Sequence, residues 1–240
     1  MTRSHHPQIQ AVLLDHGGTL VTDWNGDPDE IFHSLLGAEG VQFERSKLKG
    51  CSEYFQLVWA EKYSHYPRGE RWTLEVRTAC NREVLEHFGV PGNRDALARA
   101  LAEKFEWKVH QGLFPEVKPT LEALRTLGFT LGVVSQHLFT SADLKKELDQ
   151  RGIGNYFRLV LTSESAGFDK PDPEIYRKAT QLLGVKPSQV CHVGNSLVND
   201  TLAAQQAGLY GILVDRDGTQ PTVPGLTVIR SLAELPTLLA

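Results

Sequence analysis

From residue 113 onward, short apolar runs alternate with helix-patterned segments that each stop at a glycine, and this alternation leaves few folds open. Segment 117–127 stops at Gly128 before the apolar run 129–134, and 141–151 stops at Gly152 before 157–161. Likewise 173–183 stops at Gly184 before 190–193, and 198–207 stops at Gly208 before 210–214. A glycine just past a helix supplies the left-handed residue that closes it. Strands joined by single helices run parallel, because a parallel return needs a long crossover. The predicted class is α/β, a parallel sheet with helices on both faces, completed by a short strand at 226–229 and a helix at 231–239.

Ala11-Val12-Leu13-Leu14 reads as a further buried strand of that sheet, ending on Asp15 and the turn His16-Gly17-Gly18-Thr19-Leu20. In open α/β sheets ligands bind at the carboxyl ends of strands, so Asp15 is placed for chemistry. Between this strand and the rest lies a run of predicted helices at 29–38, 44–63, 70–88 and 93–110. They are punctuated by Gly37, Gly40, Pro67, Gly69, Gly89, Pro91 and Gly92. The expected organisation is a core domain of 1–21 and 111–240, interrupted by an all-helical cap domain at 22–110. The polar segment 22–28 has the turn chemistry of a hairpin or hinge. A cap that swings over the strand ends would exclude water from them.

At 240 residues, 41% of them apolar, the chain is long enough to bury an α/β core and one smaller domain. A net charge of -4 and the lack of a dense Lys/Arg run with aromatics argue against nucleic acid as a partner. Cys51, Cys80 and Cys191 are widely spaced with no Cys-x-x-Cys pair, which fits buried reduced thiols. Segment 1–10 lacks the apolar stretch of a signal peptide and no run reaches membrane-spanning length, so a cytoplasmic protein is expected. His5 and His6 are read as part of a disordered tail rather than a metal site.

Four strand ends bring polar residues toward one place: Asp15, then Ser135-Gln136-His137, then Lys170-Pro171-Asp172-Pro173, then Gly194-Asn195-Ser196-Leu197-Val198-Asn199-Asp200. In order and spacing these resemble motifs I to IV of the haloacid dehalogenase-like hydrolase superfamily, of the type with a helical cap at the first insertion site. The resemblance implies a Rossmann-like core, Asp15 as nucleophile, and Lys170 neutralising charge beside it. It also implies that Ser135 and Gln136 meet the oxygens of a small anionic substrate. A carboxylate nucleophile splits a difficult displacement into two easier steps. Backbone N–H groups at Gly17, Gly18 and Thr19, with Ser135 and Lys170, would stabilise a phosphoryl group in flight.

Two positions depart from the family pattern. Phosphatase members resemble Asp-x-Asp-Gly-Thr in motif I, where this chain has Gly17, and Gly-Asp-Ser in motif IV, where it has Asn195. The expected Mg2+ site is thus Asp15, the Gly17 carbonyl, Asn195 and Asp200, weakened by the loss of two carboxylates, and metal-free operation stays open. General acid or base help is worth roughly 10² to 10⁴-fold. Its loss at residue 17 leaves three readings: substrates with good leaving groups, a cap residue or neighbouring histidine acting instead, or a dehalogenase- or phosphonatase-like reaction rather than phosphate-ester hydrolysis. A pseudoenzyme that binds a ligand is the alternative outside enzymes. His16 and His137 flank the site, but alternation turns His16 away from Asp15's side. His192 reads as a satisfied core residue. The aromatics Tyr54, Phe55, Trp59, Tyr63, Tyr66 and Trp72, with Arg68 and Arg71 nearby, read as helix packing, and Lys47, Lys49 and Lys62 as solvated. The protein is expected to act as a monomer or homodimer.

Overall fold

The computed structural model describes residues 9–23, 27–221 and 223–240. His5, His6 and the 24–26 part of the linking segment lie outside the described residues. The chain divides into two compact units, one built from 1–22 with 112–240 and the other from 23–111.

The first unit holds a six-stranded sheet. Its strands are β1 (Ala11–Leu14), β4 (Thr130–Ser135), β5 (Phe157–Thr162), β6 (Val190–Gly194), β7 (Tyr210–Val214) and β8 (Thr227–Ile229), in the order β5-β4-β1-β6-β7-β8. Every pairing is parallel. Both faces are buried, and alternation along β1 divides its side chains between two cores. Val12 and Leu14 pack with α5 (Val117–Thr126), α6 (Ser141–Gln150) and α10 (Leu235–Leu239). Ala11 and Leu13 pack with α8 (Glu174–Leu183) and α9 (Ala203–Gln206). Two short strands, β2 (Val21–Asp23) and β3 (His110–Leu113), form a separate ribbon that the sequence reading did not anticipate.

The second unit is a helical bundle of α1 (Pro28–Ala38), α2 (Cys51–Lys62), α3 (Leu74–His87) and α4 (Arg94–Val109). Its core joins Ile31, Phe32, Leu35 and Leu36 of α1 to Val84 and Leu85 of α3 and to Leu97, Ala98 and Leu101 of α4. The aromatics do pack on each other, with Trp72 edge-on to Phe55 and Trp59 at 5.8 and 5.5 Å. Lys47 and Lys62 pair with Glu44 and Glu83 at the surface, and Lys49 is exposed.

Three helix boundaries differ from expectation for local reasons. The helix expected over 44–63 is broken at Gly50, which sits at φ +84, leaving a 3-10 turn at Arg45–Leu48 before α2. The helix expected from residue 70 begins at Leu74, because the Thr73 side chain accepts the Val76 N–H and caps it. The helix expected over 198–207 begins as a π-helix, Leu197–Leu202, and becomes regular only in α9. A short helix, α7 (Ser163–Ala166), was not expected.

Candidate active site

From β1 the chain builds the sheet first toward β4 and β5, then returns to the other side through β6, β7 and β8. Such a reversal opens a crevice at the carboxyl ends of the strands. Asp15 lies there, its N–H bonded to the Val193 carbonyl at 2.9 Å. The loop before α8 brings in Lys170, and the π-helix after β6 brings in Asp200. The Lys170 ammonium is 2.7 Å from Asp15 Oδ1 and 2.6 Å from Asp200 Oδ1, with its side chain 2% exposed. Burial opposes a charged lysine, but the two carboxylates outweigh it and raise the Lys170 pKa.

The two carboxylates are held differently. Burial raises Asp15 above the ordinary carboxylate range; Lys170 opposes this and the Asp200 charge reinforces it. Burial also acts against ionised Asp200, yet Lys170 and the hydrogen bond from His192 hold its pKa far below the usual range. His192 Nε2 is 3.1 Å from Asp200 Oδ1. A carboxylate only accepts, so Nε2 carries the proton and donates. Asp200 Oδ2 accepts the Ser196 N–H at 2.9 Å. Tyr176 packs edge-on against His192 at 4.7 Å and donates its hydroxyl to the Asn199 carbonyl at 2.5 Å.

On the other side of Asp15, the Thr19 hydroxyl lies 3.4 Å from both Asp15 Oδ2 and Asn195 Oδ1. One hydroxyl is therefore within reach of both oxygens. The arrangement so far is one buried ammonium between two carboxylates, with a second pair of oxygens directed at a hydroxyl, all at a switch point of a parallel sheet.

The family model for "Haloacid dehalogenase-like hydrolase" matches residues 50–214, more than half of the chain. This chain belongs to the haloacid dehalogenase-like hydrolase family. A mouse relative, haloacid dehalogenase-like hydrolase domain-containing protein 3, is 34% identical over 97% of this chain and 94% of its own length. A phosphoserine phosphatase of Thermus thermophilus is 34% identical over 64% of this chain and 59% of its own. Among solved structures, a 2-haloacid dehalogenase from Pseudomonas syringae superposes with a TM-score of 0.72 and 27% identity, covering 96% of this chain and 98% of that one. The matched family segment includes Ser135, Lys170, Asn195 and Asp200, and begins after Asp15 and Gly17.

Two groups expected to meet substrate or metal have other partners in the structure. The Gly18 and Thr19 N–H groups are engaged within the turn itself. Gly18 donates to the Val21 carbonyl at 2.8 Å and Thr19 to the His16 carbonyl at 3.3 Å, because the turn closes on itself. Asp200, expected at a metal, is engaged by three protein donors: Oδ1 accepts from Lys170 and His192, and Oδ2 from the Ser196 N–H. Ser135 is buried at the end of β4, beside β1, and Gln136 is exposed. Neither hydrogen-bonds to the Asp15, Lys170 and Asp200 group among the described residues.

His16 turns as alternation requires, with Nε2 3.5 Å from Glu147 of α6, on the face opposite Lys170. His137 accepts the Phe139 N–H on Nδ1 and lies edge-on to His16 at 6.4 Å. His192, read as a core residue, is fully buried but also touches the site through Asp200. Its signal was present in the alternation of β6, which puts residue 192 on the same face as Val190, toward α8.

Among the described residues, no group of three or more His, Cys, Asp or Glu side chains is gathered to hold a metal ion. Asp15 Oδ2 and Asn195 Oδ1 share the Thr19 hydroxyl as a neighbour at 3.4 Å. They are hard oxygens of the kind Mg2+ takes, with one negative charge between them. The chemistry of these two donors fits a magnesium ion that keeps much of its water. No helix among the described residues is long and apolar enough to cross a membrane.

Proposed function

We propose that this hydrolase removes a phosphoryl group from a small phosphorylated metabolite, with Asp15 as nucleophile, and that the 23–111 unit serves as its cap. The observation that carries the reading is the Lys170 ammonium pinned between Asp15 and Asp200. It fixes one Asp15 oxygen and supplies a positive charge where an anionic group would arrive. Asp15 attacks phosphorus, the bond to the leaving oxygen breaks, and water then opens the aspartyl phosphate. Ser135, at the end of the neighbouring strand, is the hydroxyl assigned to a phosphoryl oxygen. Mg2+ would be held by Asp15, the Gly17 carbonyl and Asn195, and would supply further neutralisation of phosphoryl charge. With no acid at residue 17, the leaving group must depart without a proton from that position. Acyl phosphates and activated aryl phosphates fit that limit.

The test is a panel with phosphate and halide release read together, with Mg2+ and with EDTA. Asp15→Asn is expected to abolish phosphate release. Gly17→Asp is expected to raise release from unactivated esters by roughly 10² to 10⁴-fold. Asn195→Asp should lower the magnesium concentration needed for half-maximal rate, since a charged oxygen replaces a neutral one. Phosphate release that survives Asp15→Asn would remove the nucleophile assignment. The likeness to the Pseudomonas dehalogenase supports a second reading, because a departing halide needs no proton and Gly17 would then cost nothing. Halide release without metal would decide for it.

A further inference from the structure

Arg216, just beyond β7, makes three contacts, one of them to the Asp15 turn and two to the segment that precedes α5. Its Nη2 donates to the Thr19 carbonyl at 3.1 Å, its Nη1 pairs with Glu116, and its guanidinium carbon lies 3.6 Å above the centre of the Phe114 ring. The Phe114 N–H in turn donates to the Leu20 carbonyl at 3.2 Å. Two successive carbonyls of the turn are thus gripped, one by the arginine and one by the segment the arginine stacks on. Burial would raise Glu116, but its own backbone N–H and then Arg216 outweigh it and hold the carboxyl low, so the pair is charged. Only arginine combines a planar two-donor fork with stacking on an aromatic face.

We infer that Arg216 is a positioning residue for hydrolysis: by holding the Thr19 backbone it sets the Thr19 hydroxyl between Asp15 Oδ2 and Asn195 Oδ1. The effect on chemistry rests on the reading of Asp15 as nucleophile, while the grip on the turn stands apart from it. A small displacement of a reacting group costs as much as about 10²-fold in rate. Lysine at 216 would keep a charge for Glu116 and lose the hold on Thr19.

The experiment compares Arg216→Ala, Arg216→Lys, Thr19→Val and the pair Arg216→Ala/Thr19→Val. Each is measured for acetyl phosphate hydrolysis, thermal unfolding and amide hydrogen exchange across residues 18–21. Arg216→Ala is expected to lower kcat about 10- to 100-fold with KM little changed. In the Thr19→Val background the same change should have almost no further effect. Arg216→Lys should lose kcat similarly while staying nearer the native melting temperature, which separates positioning from folding. Exchange across 18–21 should quicken in both Arg216 variants. Additive losses in the pair, or a kcat loss that tracks only the unfolded fraction, would overturn the inference. If the native chain releases no phosphate, the nucleophile reading fails instead. Exchange then decides for the grip on the turn: faster exchange in Arg216→Lys supports it, and unchanged exchange overturns it.

Discussion

A methyl group on residue 194 would sit 2.5 Å from Asp200 Cβ and closer still to its carboxylate, so the chain needs glycine there for the sake of a side chain six residues away. Gly194→Ala must push Asp200 outward, and with it the ammonium that Asp200 shares with Asp15. Overpacking of this sort costs about 1–3 kcal/mol, and the substitution should also lower kcat as Lys170 shifts. Calorimetry and acetyl phosphate turnover on the same preparation would check both, and a variant with native melting and native rate would refute the account. The meeting of Asp15, Lys170 and Asp200 at one end of the sheet was legible in the order of the strand ends, although Asp200 was expected at a metal rather than at the Lys170 ammonium. What supports them was not. His192, Gly194 and Arg216 act through close approaches between segments distant in sequence, and alternation gives only the face a side chain takes.

At the scale of elements, the positions of the helices were readable and their irregular starts were not. Asp29, in the first turn of α1, accepts the Gly50 N–H at 2.6 Å, the Ser52 N–H at 2.8 Å and the Ser52 hydroxyl at 2.7 Å. A carboxylate at the beginning of one helix thereby caps the beginning of another. No local pattern around residue 50 announces a partner at residue 29, which is why the helix expected over 44–63 runs through the break. Burial raises the Asp29 pKa, but the Ser52 and Gly50 hydrogen bonds outweigh it and the net direction is downward. A depressed folded pKa means stability that is present above the unfolded value of about 3.9 and lost as pH falls through the folded one. Asp29→Ala should therefore destabilise by about 1 kcal/mol at neutral pH, and the difference from the native chain should shrink below about pH 4. Urea midpoints at pH 7 and pH 3 would test the sign. In the same helix Gly37 has open space at its Cβ position and no positive φ. Gly37→Ala should stabilise by about 0.5–1 kcal/mol, and a lowered melting temperature would count against the helix as described. The π-helix follows the same logic of irregular starts. The Ser196 carbonyl accepts from both Asp200 and Thr201, at 3.0 and 3.2 Å, and the wider turn brings Asp200 back toward Lys170.

For the whole molecule, sequence distance separates the two units by how they can form. In β1, Ala11 pairs with Thr130 and with Val190, so the sheet closes only when both ends of the chain are present. The helical unit draws its core from the continuous stretch 23–111, and the sheet unit draws its own from 1–22 with 112–240. The probes are divided in the same way. Trp24, Trp59, Trp72 and Trp107 all fall within 23–111, as do Cys51 and Cys80, whereas Cys191 lies in β6. Burial pushes the Cys80 and Cys191 thiols up to about 12, and Cys51 higher still, so a folded thiol resists alkylation near neutral pH and an unfolded one reacts. Pulse alkylation along a urea series, mapped by peptide, therefore reads each unit separately. Asp29→Ala is expected to lower the midpoint for Cys51 and Cys80, together with the tryptophan emission, more than that for Cys191. Gly194→Ala should reverse the order, because its clash falls at the end of β6. Equal shifts of every probe in both variants would mean that the chain unfolds as one cooperative body, and the separation into two self-sufficient cores would have to be given up.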